Sequence, residues 1–147
     1  MLARRKLIDV LLVQTSLGSA HPSHYRRATR QEVIRANAVK NVMFVSGDIH
    51  GSLTCSLTHS KDPDFVVHGI VSSPLCNTKL LPYAKASNLQ LDTPLASNEQ
   101  GLYSPALTSA MVSEDNFACL TLSGQSLQVD FYNPQGRVLK SVTIALK

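Results

Sequence analysis

The stretch from Asn116 to the C-terminus constrains the fold more than any other. Ala118, Leu120 and Leu122 alternate with polar or small neighbours until Ser123-Gly-Gln125 interrupts them. Leu127, Val129 and Phe131 then alternate with Gln128, Asp130 and Tyr132, and Asn133-Pro-Gln-Gly136 follows. Val138, Val142, Ile144 and Leu146 complete the pattern. Strand side chains point to opposite faces at every second residue, so three period-two stretches with turn residues between them predict an antiparallel meander buried on one face. Nothing in it carries catalytic chemistry. Its expected work is to cover one face of a preceding sheet.

That sheet is predicted from two apolar runs. Val42-Met-Phe-Val45 stops at Ser46-Gly47, and Phe65-Val-Val-His-Gly-Ile-Val71 breaks at Ser72-Ser-Pro-Leu-Cys-Asn77. Short β-branched runs ended by glycine or proline clusters read as buried strands. Between them Leu53, Cys55 and Leu57 alternate as a strand or the start of a helix, and Lys61-Asp-Pro-Asp64 reads as a turn. Residues 24–40 hold Ala, Arg, Gln and Glu without Gly or Pro, which predicts a helix capped by Ser23 and ended by Asn41. Its narrow apolar stripe would run through Tyr25, Ala28 or Thr29, Glu32 or Val33, and Ala36. Residues 7–13 suit a buried strand, and 14–23 a loop. Residues 78–110, with Pro82, Pro94 and Pro105, read as a long irregular segment.

The chain has 147 residues, 44% apolar and 16% charged, which is enough for one domain with a single core. No apolar run approaches the roughly 20 residues of a membrane helix. A basic start and residues 7–13 resemble a secretory leader, but Asp9 interrupts the run. The formal charge is +4, with Arg4, Arg5, Lys6, Arg26, Arg27, Arg30 and Arg35 all in the first quarter. That density reads as a solvated helix face or a contact for phosphate-bearing partners. No nucleic acid partner is expected, because the few aromatics form no stacking pattern. Cys55, Cys76 and Cys119 form no C-x-x-C pair and read as buried small apolar residues.

The chemistry concentrates in Ser46-Gly-Asp-Ile-His-Gly51. Ligands in open α/β sheets bind beyond the carboxyl ends of strands. In extended backbone Asp48 and His50 would point to the same side, an oxygen and nitrogen pair suited to a divalent cation. The plainer reading is a turn in which Asp48 caps backbone N–H groups and His50 faces water. If the 42–45 and 65–71 strands are neighbours, Ser73 or Asn77 would lie near enough to contact a substrate or orient a ligand. His21 and His24, flanking Pro22, are weaker metal candidates. His68, inside a strand, is expected to be a hydrogen-bonded core or face residue.

The order of these features resembles the C-terminal part of the PhoD-like alkaline phosphatases, in the calcineurin-like metallophosphoesterase superfamily. The resemblance runs from about Tyr25 to Leu146. It rests on the polar helix, Val45-Ser-Gly-Asp-Ile-His50, Val71-Ser-Ser-Pro-Leu75, and the meander from Asn116-Phe117 through Gly136-Arg-Val. It implies an α/β fold (α+β as a fragment), the C-terminal half of a metallophosphoesterase-like β-sandwich flanked by a helix and closed by the meander. It also implies two divalent metal ions (Mn, Fe, Zn, Mg or Ca), with Asp48 and His50 each directed to one. The expected substrate is a phosphate mono- or diester. The family's earlier metal motifs have no counterpart before Asn41. The chain is therefore expected to be a single partial domain, inactive alone. Its parts would be a variable segment 1–23, a motif-bearing unit 24–77, an irregular segment 78–115 and the meander 116–147.

Two other readings stay open. Gly47-Asp-Ile-His-Gly51 also resembles the opening motif of the Ser/Thr protein phosphatases. Their Gly-Asp-x-x-Asp-Arg-Gly element should follow some 30 residues later, where this chain reads His68-Gly-Ile-Val-Ser-Ser-Pro74. A non-catalytic β-rich interaction module would instead use the basic first quarter, or associate through sheet exposed by a missing N-terminal half.

Overall fold

The computed structural model describes residues 23–47, 50–72, 95–96 and 101–147. Within them lie one helix, α1 (Ser23–Ala36), and eight strands: β1 (Val42–Ser46), β2 (Leu53–His59), β3 (Asp62–Val71), β4 (Leu95–Ala96), β5 (Leu102–Leu107), β6 (Phe117–Ser123), β7 (Ser126–Tyr132) and β8 (Val138–Ala145). They form a five-stranded sheet in the order β1-β3-β2-β5-β4 and a three-stranded sheet in the order β6-β7-β8. The fold is thus β-rich rather than α/β in the doubly wound sense. Among the described strands only β1 and β3 pair in parallel, and the short segment from β1 to β2 holds no crossover helix among its described residues. No described helix is long and apolar enough to cross a membrane.

Register decides which side chains meet. In the first sheet Met43, Val45, His68, Ile70, Thr54 and Ser56 share one face, because β1 pairs Met43 with His68 and β2 pairs Ser56 with His68. Met43 and Ile70 pack there against Leu127, Val129 and Phe131 of β7 and Ile144 of β8. The meander therefore does cover the sheet, and each side chain fully buried there stabilises the fold by roughly 1.5–3 kcal/mol. On the opposite face Val42, Phe65, Val67 and Tyr103 pack with Ile34 of α1. His59 joins this cluster, its ring centroid 4.8 Å from that of Tyr103.

The helix face differs from the predicted stripe. Ile34 is buried, Glu32 and Arg35 form an ion pair at 3.0 Å beside it, and Val33 and Ala36 are exposed. The helix also stops before Asn41. Ala38 adopts φ +50°, Val39 N–H donates to the Ile34 carbonyl, and the Asn37 side chain donates to the Val33 carbonyl. This is a left-handed cap built on alanine instead of glycine. Asn41 instead exchanges two 2.8 Å bonds with the backbone of Lys147, tying the start of β1 to the end of the meander.

Three further expectations change. β3 begins at Asp62, so the 61–64 turn contracts to Ser60–Lys61. The irregular segment contains β4 and β5, with Pro105 inside β5. Proline is tolerated because β4 pairs only with Leu102 and Tyr103, leaving the position of Pro105 without a described ladder partner on that side. In β8 a register shift opposite Phe131/Tyr132 turns Val138 outward and brings Leu139 against the core. Leu120 and Leu122 lie opposite Val129 and Leu127 on the inner face, yet both are exposed. The meander face is therefore buried along β7 and at Ala118 but open at Leu120 and Leu122 of β6. Its outer face carries a polar network in which Ser141 and the Gln128 amide donate to Asp130, holding its carboxyl below the usual range.

Candidate functional site

Strand order places the motif loop. Since β3 lies between β1 and β2, the chain leaving β1 crosses the carboxyl end of β3 to reach β2. Val71, the last residue of β3, is flanked by Ser46 on one side and Leu53 on the other. Where β1 ends, the Ser72 N–H donates to the Ser46 carbonyl at 2.9 Å. A Cβ on Gly47 would lie 3.1 Å from the Ser72 carbonyl oxygen, so glycine permits the close crossing. The expected neighbours are neighbours, and their shared carboxyl ends carry the loop.

The far side of the loop is fastened too. Ser52 and Val112 exchange backbone hydrogen bonds of 2.9 and 2.8 Å, and Thr54 N–H donates to the Ser109 hydroxyl oxygen at 2.9 Å. Met111 lies so close over Gly51 that a Cβ there would meet its Cε at 2.5 Å. Gly51, Ser52, Leu53 and Thr54 are all buried.

His50 sits between these anchors in an uncommon conformation. Its φ is +52°, in the left-handed region, so the alternation that would align it with Asp48 does not hold at this residue. His50 is half-buried, and its Nδ1 is buried without a hydrogen-bond partner. Strained backbone and an orphaned ring nitrogen together mark a candidate functional residue. An imidazole nitrogen without a protein partner suits a divalent cation, whose other ligands in such sites are carboxylates and carbonyls. Among the described residues no three His, Cys, Asp or Glu side chains gather as a ligand set.

The other predicted site residues fall differently. Asp48, Ser73, Asn77, His21 and Cys76 lie outside the described residues, as does the 7–13 strand, and His24 is described only as backbone in α1. His68 lies on the inner sheet face as expected. However, its Nδ1 is buried with no hydrogen-bond partner, and burial pushes its pKa down. Cys55 is half-buried over Gly69, its thiol pKa raised by burial, whereas Cys119 is exposed, on the outward face of β6 beside Asp130.

Sequence reasoning missed the residues that hold the loop. Ser72 accepts the Ala118 N–H at 3.1 Å through its hydroxyl, linking the two sheets directly below the motif. Ser52, Met111 and Val112 come from segments with no periodic signal. No protein-family model matches the chain, and no curated protein matches it.

Proposed function

We propose that this chain is the C-terminal part of a PhoD-like, metal-dependent phosphoesterase, contributing Asp48 and His50 to a two-cation site. The observation that carries the reading is His50, held in a left-handed turn across the carboxyl ends of β1 and β3 with its Nδ1 buried and unpartnered. The two-sheet sandwich, with the motif at one end and the meander covering one face, supports it.

Two divalent cations, when bound, would supply charge for phosphoryl oxygens and activate a water. His50 offers a neutral nitrogen that adds no charge, and Asp48 offers a carboxylate. Two such side chains are too few for two hard cations, each of which takes several donors. The remaining donors must come from outside this pair. Hydrolysis by the chain alone is not expected.

Mn²⁺ titration of the chain tests the reading. Binding should be weak, and Asp48→Asn or His50→Ala should remove it while leaving the fold intact. Binding that survives both substitutions would refute the assignment of these two residues. A second reading, self-association through open sheet, is favoured by the exposure of Leu120 and Leu122 on the face that β7 buries.

A further inference from the structure

The described sheets end in β1, β4, β6 and β8, and β6 is the one left unguarded. β4 is two residues long and β1 five, while β8 carries Lys140 and the extra residue of its register shift. Short edges, lysines and bulges are the usual protections against pairing with another chain. β6 has none of them. Phe117-Ala-Cys-Leu-Thr-Leu-Ser123 holds no charge, proline or glycine, and it pairs with β7 over all seven residues without a shift.

The free side of β6 carries backbone groups in need of partners. The Ala118 N–H donates to the Ser72 hydroxyl at 3.1 Å, so it points away from β7. Backbone groups along an antiparallel strand face alternate sides. Leu120 and Leu122 therefore turn their N–H and C=O groups to the same side as Ala118, where no described residue pairs with them. The hairpin agrees. Ser123 and Ser126 close a two-residue turn with Gly124 at φ +56° in its first position, so Ser123 rather than Leu122 bonds to β7. The same two leucines have side chains 42% and 54% exposed.

We infer that β6 pairs antiparallel with β6 of a second copy of this chain, about a two-fold axis at Thr121. This rests on the second reading above, self-association through open sheet, and gives it a strand and a register. A second copy is the occupant that the edge fits. An uncharged strand meets itself without like charges opposed, and a two-fold makes one edge its own complement. Because Ser72 already engages the Ala118 N–H, Leu120 and Leu122 are left to form the ladder. An axis at Thr121 sets Leu120 of each copy opposite Leu122 of the other, so both residues use both backbone groups. Their side chains then meet on the inner face, and the two Thr121 side chains form a favourable cross-strand pair on the outer one. The axis closes the assembly at two copies.

The test uses the full chain with Cys76 and Cys119 replaced by serine and one cysteine introduced by Thr121→Cys. In this register the two 121 positions are a non-hydrogen-bonded pair with Cα atoms about 4.5 Å apart, within the roughly 4.4–6.8 Å that a disulfide spans. Mild oxidation and non-reducing electrophoresis should show a linked dimer. Paired thiols react at high effective concentration, so the yield should be at least about tenfold that of Thr143→Cys, an exposed position on β8. Adding Leu122→Lys, with folding checked by circular dichroism, should abolish the link. Sedimentation velocity of the parent chain should show dimer growing with concentration. A parent that dimerises while Thr121→Cys links no better than Thr143→Cys overturns this pairing and leaves self-association standing. A folded Leu122→Lys variant that still links overturns the pairing too. A parent that stays monomeric at every concentration, with no Thr121→Cys link, overturns both, as it would if another segment of this chain covered β6. Should Leu122→Lys not fold, the comparison of Thr121→Cys with Thr143→Cys decides.

Discussion

Leu122 and Leu127 face each other across the β6–β7 ladder on the same side of the meander, yet Leu122 is 54% exposed and Leu127 only 5%. Cutting each to alanine removes the same atoms from two environments. Leu127 lies in the cluster with Val129, Phe131, Met43 and Ile70, so its loss leaves a cavity and should cost roughly 2–5 kcal/mol. At about 3 kcal/mol, a chain of this size should lose roughly 6–12 °C in midpoint. Leu122 forfeits less than half of its burial and leaves no enclosed void, so the cost should be about 1 kcal/mol or less. Thermal and urea unfolding of the two variants at low protein concentration measure the difference. Equal losses would refute the open edge along β6. A loss at Leu122 that appears only as protein concentration rises would instead show that a second copy covers it.

A Cβ on Gly69 would lie 2.6 Å from Cys55 Sγ, so Gly69→Ala should cost roughly 1–3 kcal/mol by overpacking. Most of that should return in Gly69→Ala/Cys55→Ala, and a double-mutant cycle by urea denaturation reads the coupling; strictly additive costs would contradict the contact. Burial lowers the pKa of His68 below its ordinary value of 6.5, so the unfolded chain binds the proton more readily. Its contribution is full above about pH 6.5 and is lost as pH falls from there toward the depressed pKa. Urea midpoints should therefore decline between pH 7 and 5.5, and His68→Leu should flatten that decline. An unchanged slope would mean that His68 titrates freely.

Much of the strand layout was legible because period-two burial writes itself into sequence. Leu127, Val129, Phe131 and Ile144 alternate because one sheet face is dry, and the 42–45 and 65–71 runs are nearly continuous because both of their faces are covered. The errors sit where local pattern and tertiary context disagree. Leu120 and Leu122 have the pattern of a buried face, but no described element lies over them. The register shift in β8 exchanges Val138 for Leu139 without any local mark. Pro105 reads as a breaker, yet its missing N–H costs nothing where no described partner waits for it. In the site, residue types suggested Asp48 and His50 as a donor pair, and of the two only His50 lies among the described residues. The left-handed turn at His50 and the contacts of Ser72 and Met111 depend on segments brought together from distant parts of the chain.

The most direct measurement of the central claim is pulsed electron paramagnetic resonance of Mn²⁺ bound to the chain, with its five histidines labelled with ¹⁵N. The account predicts coupling from one directly coordinated imidazole nitrogen, lost in His50→Ala and retained when His21, His24, His59 or His68 is replaced. A bound Mn²⁺ with no coordinated nitrogen, or one whose nitrogen signal survives His50→Ala, would contradict it.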